Sequence, residues 1–271
     1  MKTPFAIAIL TCALAGSAAD IKQSNNQTIK QISPLVEMFP REVTFYHGFD
    51  DGVNPAIGMT GQGNWKNFHL SDDGLIGKCL DIGTPGYNQN PAQPLIDTTK
   101  PGSVVIWAKL LCEQKPIVKG LAKWEGGGGL FEAMGNKCRM LIMKSVDHHW
   151  GDGAVWVFFE GRDEHGAHFS TCARAHCSFT DWKVGEWRMI AAAWTAEKLY
   201  ISVNGKPFAS APYNKKMGAL RGGVYFKAGY WKGPDSKPGM FAIDECAIIN
   251  RKLSDDELAE IYARTLKLSG K

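Results

Sequence analysis

The residues best suited to binding a ligand lie in one short central segment, Val146 to Gly153. Trp150 offers a flat apolar face for the C–H surface of a sugar ring. His148, His149 and Asp152 offer hydrogen-bond donors and acceptors for sugar hydroxyl groups. We predict a recognition loop here. In the alternative interpretation, Trp150 folds inward and the two histidines are only solvated.

Two further tryptophans are candidates for the same binding surface. Trp124 and Trp231 stand among glycine, lysine and aspartate, a composition that is typical of loops. Exposed aromatic side chains give a large contact area at low entropic cost, which suits recognition. Four other tryptophans lie inside strand patterns and are predicted to be core residues: Trp107, Trp156, Trp187 and Trp194.

Carboxylates at the spacing of a retaining glycosidase are not found in the sequence. Such an enzyme needs two carboxyl groups about 5 Å apart on one face, which alternate positions of a strand could supply. Glu160, Asp163 and Glu164 come nearest, but Gly161 and the charged cluster favour a solvated hairpin loop. A nucleophile elbow and a phosphate-binding loop are also missing, so no complete catalytic site is predicted.

Short apolar or alternating runs, separated by Gly, Pro, Asn and Asp, predict strands from Val43 onward. The clearest run is Leu199 to Val203, and Asn204-Gly205 follows it as the central pair of a tight hairpin turn. In Ser103 to Leu111 the alternate residues from Val104 share one apolar face.

One helix is predicted, at the C-terminal end. Ser254 and Glu257 form a capping box, and Leu258, Ile261 and Tyr262 recur at helical spacing up to about Leu266. Many strands with one short C-terminal helix indicate an all-β fold with two antiparallel sheets packed as a sandwich.

In this order, the segments resemble the laminin-G-like domains of the concanavalin A-like jelly-roll superfamily. The resemblance covers about residues 43–266 and is most specific in Ala242 to Ser254, AIDECAIINRKLS, which is similar to the family's closing strand and helix start. The opening segment Phe45 to Gly52, FYHGFDDG, is part of the same pattern. The resemblance implies a jelly-roll sandwich. It does not imply one function, because the fold carries lectins, adhesion modules, hydrolases and lyases.

The same resemblance implies a structural calcium ion near Asp50 and Asp244, where the first and last strands would meet. Calcium takes six to eight oxygen ligands, many of them backbone carbonyls, so sequence shows only part of such a site. The alternative is that each aspartate bonds its own turn. Lyases of this fold can use a histidine base, and His165, His168 and His176 are residues of that type.

The first 19 residues are predicted to be a secretory signal peptide. Lys2 is followed by the apolar run from Phe5 to Leu10, and small residues precede a cleavage site after Ala19. The apolar run is too short to span a membrane. Residues 20–40 are predicted to be a polar arm, and residues 41–271 a single domain, secreted to an extracellular or periplasmic location.

Cysteine usage fits an exported chain. Of the seven cysteines, six remain once Cys12 leaves with the signal peptide, and an even number permits disulfides. Cys172 and Cys177 are separated by four residues and are predicted to close a small disulfide loop. Strand alternation opposes a Cys79–Cys246 bridge, because it turns these two side chains to opposite faces.

Net charge and the absence of a catalytic set limit the possible functions. The formal net charge is +4, and no run of Lys and Arg exceeds two residues, which argues against a nucleic-acid partner. The sequence therefore predicts a non-catalytic recognition module whose partner is a glycan or an extracellular protein. A polysaccharide lyase or glycoside hydrolase, and a structural domain of the cell envelope, stay open as alternatives.

Overall fold

Two antiparallel sheets stacked face to face account for most of the described chain. The computed structural model describes residues 33–52, 54–58, 68–83, 86–88, 94–112, 128–135, 137–144, 154–162, 167–175, 181–213, 218–228 and 241–270. These residues belong to one compact unit, Ile32–Lys271. The predicted two-sheet fold with a C-terminal helix is confirmed.

The larger sheet has eight strands. They are β1 Val43–His47, β2 His69–Ser71, β3 Cys79–Ile82, β5 Gly102–Leu110, β10 Trp187–Trp194, β11 Lys198–Val203, β12 Ala209–Pro212 and β14 Phe241–Ile249. Their order is β12-β11-β10-β5-β14-β3-β2, and β1 also pairs with β14. The opening and closing strands are therefore neighbours.

The smaller sheet has six strands. They are β4 Gly86–Asn88, β6 Gly128–Gly135, β7 Cys138–Lys144, β8 Val155–Arg162, β9 His168–Ala175 and β13 Gly223–Phe226. Their order is β4-β13-β6-β7-β8-β9. Strands β6 to β9 are consecutive in sequence and form a meander.

The main core lies between the two sheets and follows from strand alternation. In β5, Val104 and Ile106 face the smaller sheet, whereas Val105 and Trp107 face away from it. The outward side of β5 is not solvated, because the helices α1 Pro34–Met38 and α2 Asp255–Ser269 pack there. The middle of the larger sheet is thus buried on both faces. Every residue of β5 is buried, as a strand with no polar alternation requires.

The C-terminal helix confirms the predicted capping box. The Ser254 hydroxyl accepts the Glu257 amide at 3.2 Å, and the Glu257 carboxylate accepts the Ser254 amide at 2.8 Å. The helix runs past Leu266 to Ser269, and Gly270 closes it at φ 67°, a left-handed angle at which glycine carries no steric penalty. On the sheet side, the Tyr262 ring stacks on Trp107 with 5.5 Å between ring centroids.

The short helix α1 is a difference from the sequence prediction, which placed residues 33–40 in the polar arm. Leu35 is fully buried, and Ser33 caps the helix by accepting the Leu35 amide. Five residues are too few to show a helical period, so the pattern of hydrophobic residues could not reveal this helix.

The predicted hairpin turn and the predicted core tryptophans are confirmed. Asn204 and Gly205 both have positive φ, 56° and 68°, as a two-residue turn of this type requires. Of the predicted core tryptophans, the most exposed shows only 7% of its surface. Trp182, which no strand pattern includes, is also buried in the main core. Among the described residues, no helix is long and apolar enough to cross a membrane.

Candidate functional site

A cleft of about 350 Å³ opens on the outer face of the smaller sheet. Its walls come from the β6–β7 hairpin, from the C-terminal end of β8 and from the first residue of β9. The lining side chains that matter chemically are Lys137, Arg139, Glu160, Arg162 and His168. This volume is within the range of ligand pockets in proteins, so the cleft is the candidate binding site.

An ion-pair network organises the polar wall of the cleft. Arg139 on β7 donates to Glu160 on β8, and to Glu132 on β6 at 3.3 Å. Lys227 also donates to Glu132. The Glu132 side chain is only 9% exposed, and two cations compensate its charge. The network fixes three neighbouring strands and holds planar hydrogen-bonding groups in place.

The interpretation of Glu160 and Gly161 as a hairpin loop is wrong, because β8 continues to Arg162. Gly161 pairs with Cys138 of β7. A Cβ atom at Gly161 would lie 2.5 Å from the Cys138 sulfur. This glycine therefore marks a close approach inside a strand. Asp163 and Glu164 lie outside the described residues.

Glu132 and Glu160 do not have the arrangement of an inverting glycosidase. An inverting enzyme leaves room between its two carboxyl groups for a water molecule and the sugar. Here the Arg139 guanidinium bonds both carboxylates and occupies the space between them. The arrangement suits recognition of hydroxyl groups, because it presents fixed donors and acceptors.

The predicted ligand-binding residues lie outside the described residues: Trp124, His148, His149, Trp150, Asp152 and Trp231. His165 and His176 are outside them as well, whereas His168 is exposed at the rim of the cleft. β7 ends at Lys144, at the opposite end of the strand from the cleft, and Trp150 follows six residues later in the sequence. From Arg139 to Lys144 the strand advances by about 17 Å.

Sequence reasoning missed Glu132, Arg139 and Lys227. Glu132 stands between the inward-facing Phe131 and Ala133, and Arg139 stands between Cys138 and Met140. A charged residue between two inward apolar residues marks the outer face of a strand. That signal was available in the sequence, although the pairing that joins the charges was not.

A second group of interacting charges lies where the opening and closing strands meet. The Asp244 carboxylate accepts the amides of Leu75 at 2.9 Å, Ile76 at 3.1 Å and Glu245 at 2.8 Å. Lys109 donates to the Asp73 carbonyl at 2.8 Å in the same loop. These bonds hold the loop before β3 against the outer face of the larger sheet.

Glu245 occupies a bulge in β14, at φ 50°. Its carboxylate accepts the Tyr46 hydroxyl at 2.6 Å and also the Ser33 hydroxyl. A positive φ is uncommon outside glycine and persists where the surroundings enforce it. Glu245 thereby ties the N-terminal segment and β1 to the closing strand.

Burial raises the pKa values of both adjacent carboxyl groups. The pKa of Glu245 rises to about 7, through desolvation and then through the charge of Asp50, against the opposing effect of the two hydroxyl bonds. The pKa of Asp244 rises well above its usual range, through desolvation and the charge of Glu245. Near neutral pH this pair therefore holds protons that exposed carboxylates would have lost.

The two predicted calcium ligands bond to main-chain amides. Asp50 accepts the Lys78 amide at 2.8 Å, and Asp244 accepts the amides described above. Asp50 thus bonds a turn other than its own, whereas Asp244 bonds the loop before β3 and also the amide of its own neighbour Glu245. Among the described residues, no group of three or more His, Cys, Asp and Glu side chains is placed to hold a metal ion.

The structure agrees with the prediction that Cys79 and Cys246 do not form a disulfide. Cys79 and Cys246 are free, and they face opposite sides of the larger sheet. The Cys172 thiol forms no disulfide with another described cysteine. Cys177 lies outside the described residues, so the Cys172–Cys177 disulfide stays a prediction.

Comparisons with known proteins give similarity at the level of structure. No family model matches the chain, and no curated protein sequence matches it. The binding domain of Paraclostridial Mosquitocidal Protein 1 is 14% identical with a TM-score of 0.60, and the match covers 82% of this chain and 52% of that one. The botulinum neurotoxin serotype D binding domain is 12% identical with a TM-score of 0.58, covering 84% and 53%.

A third solved structure is matched over almost its whole length. Domain 4 of AbnA, a GH43 extracellular arabinanase from Geobacillus stearothermophilus, in complex with arabinotriose, is 16% identical with a TM-score of 0.55. That match covers 82% of this chain and 98% of the arabinanase domain. The chain spans about half the length of the two toxin binding domains that it matches. At such low identity these likenesses show the fold alone, a β-sandwich that is also found in binding domains.

Proposed function

We propose that the chain is a secreted, non-catalytic module that binds a glycan on the outer face of its smaller sheet. The observation that carries this proposal is the cleft with its Glu132–Arg139–Glu160 network. Fixed, charge-balanced planar groups beside an open cleft suit the hydroxyl groups of a sugar. The same groups give no free carboxyl pair for hydrolysis.

The structural neighbours support a binding role in general. Two of them are named as binding domains, and the arabinanase domain was solved with arabinotriose. We further propose that the chain belongs to the laminin-G-like group of sandwiches and is exported after cleavage at Ala19. Neighbours of this kind support both a glycan and a protein as partner, so the test must separate the two.

A glycan-array screen followed by product analysis tests this proposal. We expect the intact protein to bind a defined set of glycans and to leave each one uncleaved. Shortened or unsaturated products would favour the hydrolase or lyase alternative. Absence of glycan binding, together with binding to an extracellular protein, would replace the proposal with a protein-binding role.

Trp150→Ala tests the predicted recognition loop. If Trp150 is a sugar platform, affinity for a glycan found on the array should fall by about 1–2 kcal/mol, with little loss of stability. Trp65→Ala is a matched control, since Trp65 stands among glycine, asparagine and lysine, a composition typical of loops, outside the recognition segment. A Trp150→Ala protein that folds normally and binds as tightly as wild type would exclude Trp150 from the site.

We also keep calcium at Asp50 and Asp244 as a proposal, because carboxylates that repel one another favour a cation. A ligand that binds only the folded state raises the melting temperature. If calcium is bound, EDTA should lower the melting temperature of purified protein and added calcium should restore it. An unchanged melting temperature, together with metal-free protein by elemental analysis, would leave these aspartates as acceptors of main-chain amides.

A further inference from the structure

The side chain of Tyr225 lies across two glycines on the outer face of the smaller sheet. A Cβ atom at Gly86, its partner on β4, would lie 2.5 Å from Tyr225 Cε1. A Cβ atom at Gly223, two residues earlier on β13, would lie 2.5 Å from the Tyr225 hydroxyl. The Cε1 edge of the ring therefore lies over Gly86, and the hydroxyl end of the ring lies over Gly223. A ring seated in this way has one face against the sheet and turns the other face outward.

The Tyr225 ring is not used in the packing of the core. Its neighbours on β13, Val224 and Phe226, face the core and are fully buried, whereas Tyr225 itself is half-buried. Within the described residues, the Tyr225 hydroxyl makes no hydrogen bond. Both described helices lie against the other sheet. Among the described residues, no other aromatic ring stacks on Tyr225, and both described helices leave it uncovered.

The ring is continuous with the cleft described above. Tyr225 pairs with Glu132 on the neighbouring strand β6. Met134 lies two residues further along β6, on the same face, with 36% of its surface exposed. Met134 pairs in turn with Arg139, and Arg139 with Glu160. From β13 to β8 this row crosses three strand spacings, about 14 Å. An apolar half, Tyr225 with Met134, therefore meets a polar half.

We propose that this row is an oligosaccharide-binding surface, with Tyr225 as the stacking platform and the Arg139 network as the hydroxyl-binding part. The proposal rests on the glycan-binding function proposed above and identifies the residues and the kind of sugar. The saccharide lies across the strands, with one ring on Tyr225 and the next rings over Arg139 and Glu160. Sugar rings suit this division, because they carry C–H faces as well as hydroxyl groups.

The charge of the network itself favours a neutral saccharide segment over Tyr225, Arg139 and Glu160. The exposed cations Lys137 and Arg162 lie two residues beyond this row, at the hairpin end of the cleft. Lys227 and Arg139 balance Glu132 and Glu160, so the network has two cations and two carboxylates. Each hydroxyl group of a neutral sugar can both donate and accept, which matches such a mixed set. Binding should then change little between low and high salt, because few charges are neutralised.

Three variants test the platform with a neutral glycan that binds the wild-type protein. Tyr225→Ala should weaken binding by about tenfold, which corresponds to about 1.4 kcal/mol and lies within the range of a good aromatic contact. Tyr225→Phe keeps the stacking face and should stay within about threefold of wild type. Gly86→Ala keeps the tyrosine but blocks its flat position, so it should weaken binding as Tyr225→Ala does. Thermal melts confirm that each variant folds.

The outcomes separate this inference from the general function. If the wild-type protein binds no glycan, the proposed function fails and this inference fails with it. If the wild-type protein binds glycans, but folded Tyr225→Ala and Gly86→Ala bind equally well, only the platform is overturned. Binding confined to acidic glycans and abolished by salt would overturn the choice of a neutral ligand.

Discussion

Replacing Asp244 with alanine should lower the free energy of unfolding by about 3–5 kcal/mol, since a buried amide left without a partner costs about 1–3 kcal/mol. Asp244 is fully buried, and its carboxylate accepts three main-chain amides. Two of these amides belong to the loop before β3. The substitution should therefore also release that loop, and urea denaturation measures the loss of stability.

Asp97→Ala is the matched control for this experiment. The Asp97 carboxylate accepts the Thr99 amide and hydroxyl in an exposed turn, where water can replace it. We expect a loss of about 1 kcal/mol or less for this variant. Equal and small losses for Asp97→Ala and Asp244→Ala would contradict the structural role given to Asp244.

The stability of the wild-type protein should carry a component that decreases as the pH rises from about 4.5 to about 7. The folded state keeps a proton on Glu245 in this range, whereas the unfolded chain has lost it. Protonation therefore stabilises the folded state at low pH, and this contribution is lost as the pH approaches 7. Asp244 contributes in the same direction.

Glu245→Gln should remove much of this component. Glutamine can still accept the Tyr46 hydroxyl, and its amide can donate to Ser33, but it cannot ionise. At pH 8 the variant should be more stable than wild type by up to about 3 kcal/mol, the equivalent of the shift from 4.5 to about 7. Below pH 4 the two proteins should differ little. Denaturation curves recorded across the pH range measure both quantities.

Glu257→Gln supplies a control of opposite sign. The bonds from Arg251 and the Ser254 amide lower the pKa of Glu257 to about 2. Its ionised form stabilises the folded state above about pH 4.5, so this variant should be less stable than wild type at pH 8. If Glu245→Gln instead loses stability at pH 8, folding favours the ionised Glu245 carboxylate and its pKa is not raised. A bound cation would produce that result.

The inward faces of the strands could be predicted from sequence because alternation is a local property. Val104 and Ile106 of β5, like Val155 and Val157 of β8, face the core as their pattern predicts. The pairing of strands, in contrast, joins residues that are distant in sequence, so it could not be predicted from a local pattern. Where Arg139 meets Glu132 depends on the register of the β6–β7 hairpin, in which Arg139 pairs with Met134 and Leu141 pairs with Glu132. The cleft therefore could not be assembled from sequence.

The buried carboxylates Asp244 and Glu245 could not be brought together from sequence either, because a single bulge decides which face each of them occupies. Strict alternation would place Asp244 and Glu245 on opposite faces of β14. The bulge at Glu245 lets Ile243 and Cys246 both face the core, while the two carboxylates both serve the outer side. The resemblance drew attention to Asp244, but no local pattern could show that Glu245 joins it.

The residues predicted to bind ligand are a different case. Trp150 and its neighbours were chosen because loops with aromatic residues commonly carry recognition. The structure instead directs attention to strand positions such as Tyr225 and Arg139, which a search for loops ignores. Tyr225 becomes noticeable only when its partner Gly86 is known, and that pairing joins strands distant in sequence.

Mapping of amide chemical shifts during titration with a bound saccharide tests the central claim most directly. If the protein binds glycans on the outer face of the smaller sheet, the largest shifts should fall in β13, β6, β7 and β8. The helices and the outer face of the larger sheet should be unaffected. Shifts that cluster instead at the larger sheet, or a saturating titration that leaves β6 to β8 unchanged, would contradict this assignment of the binding face.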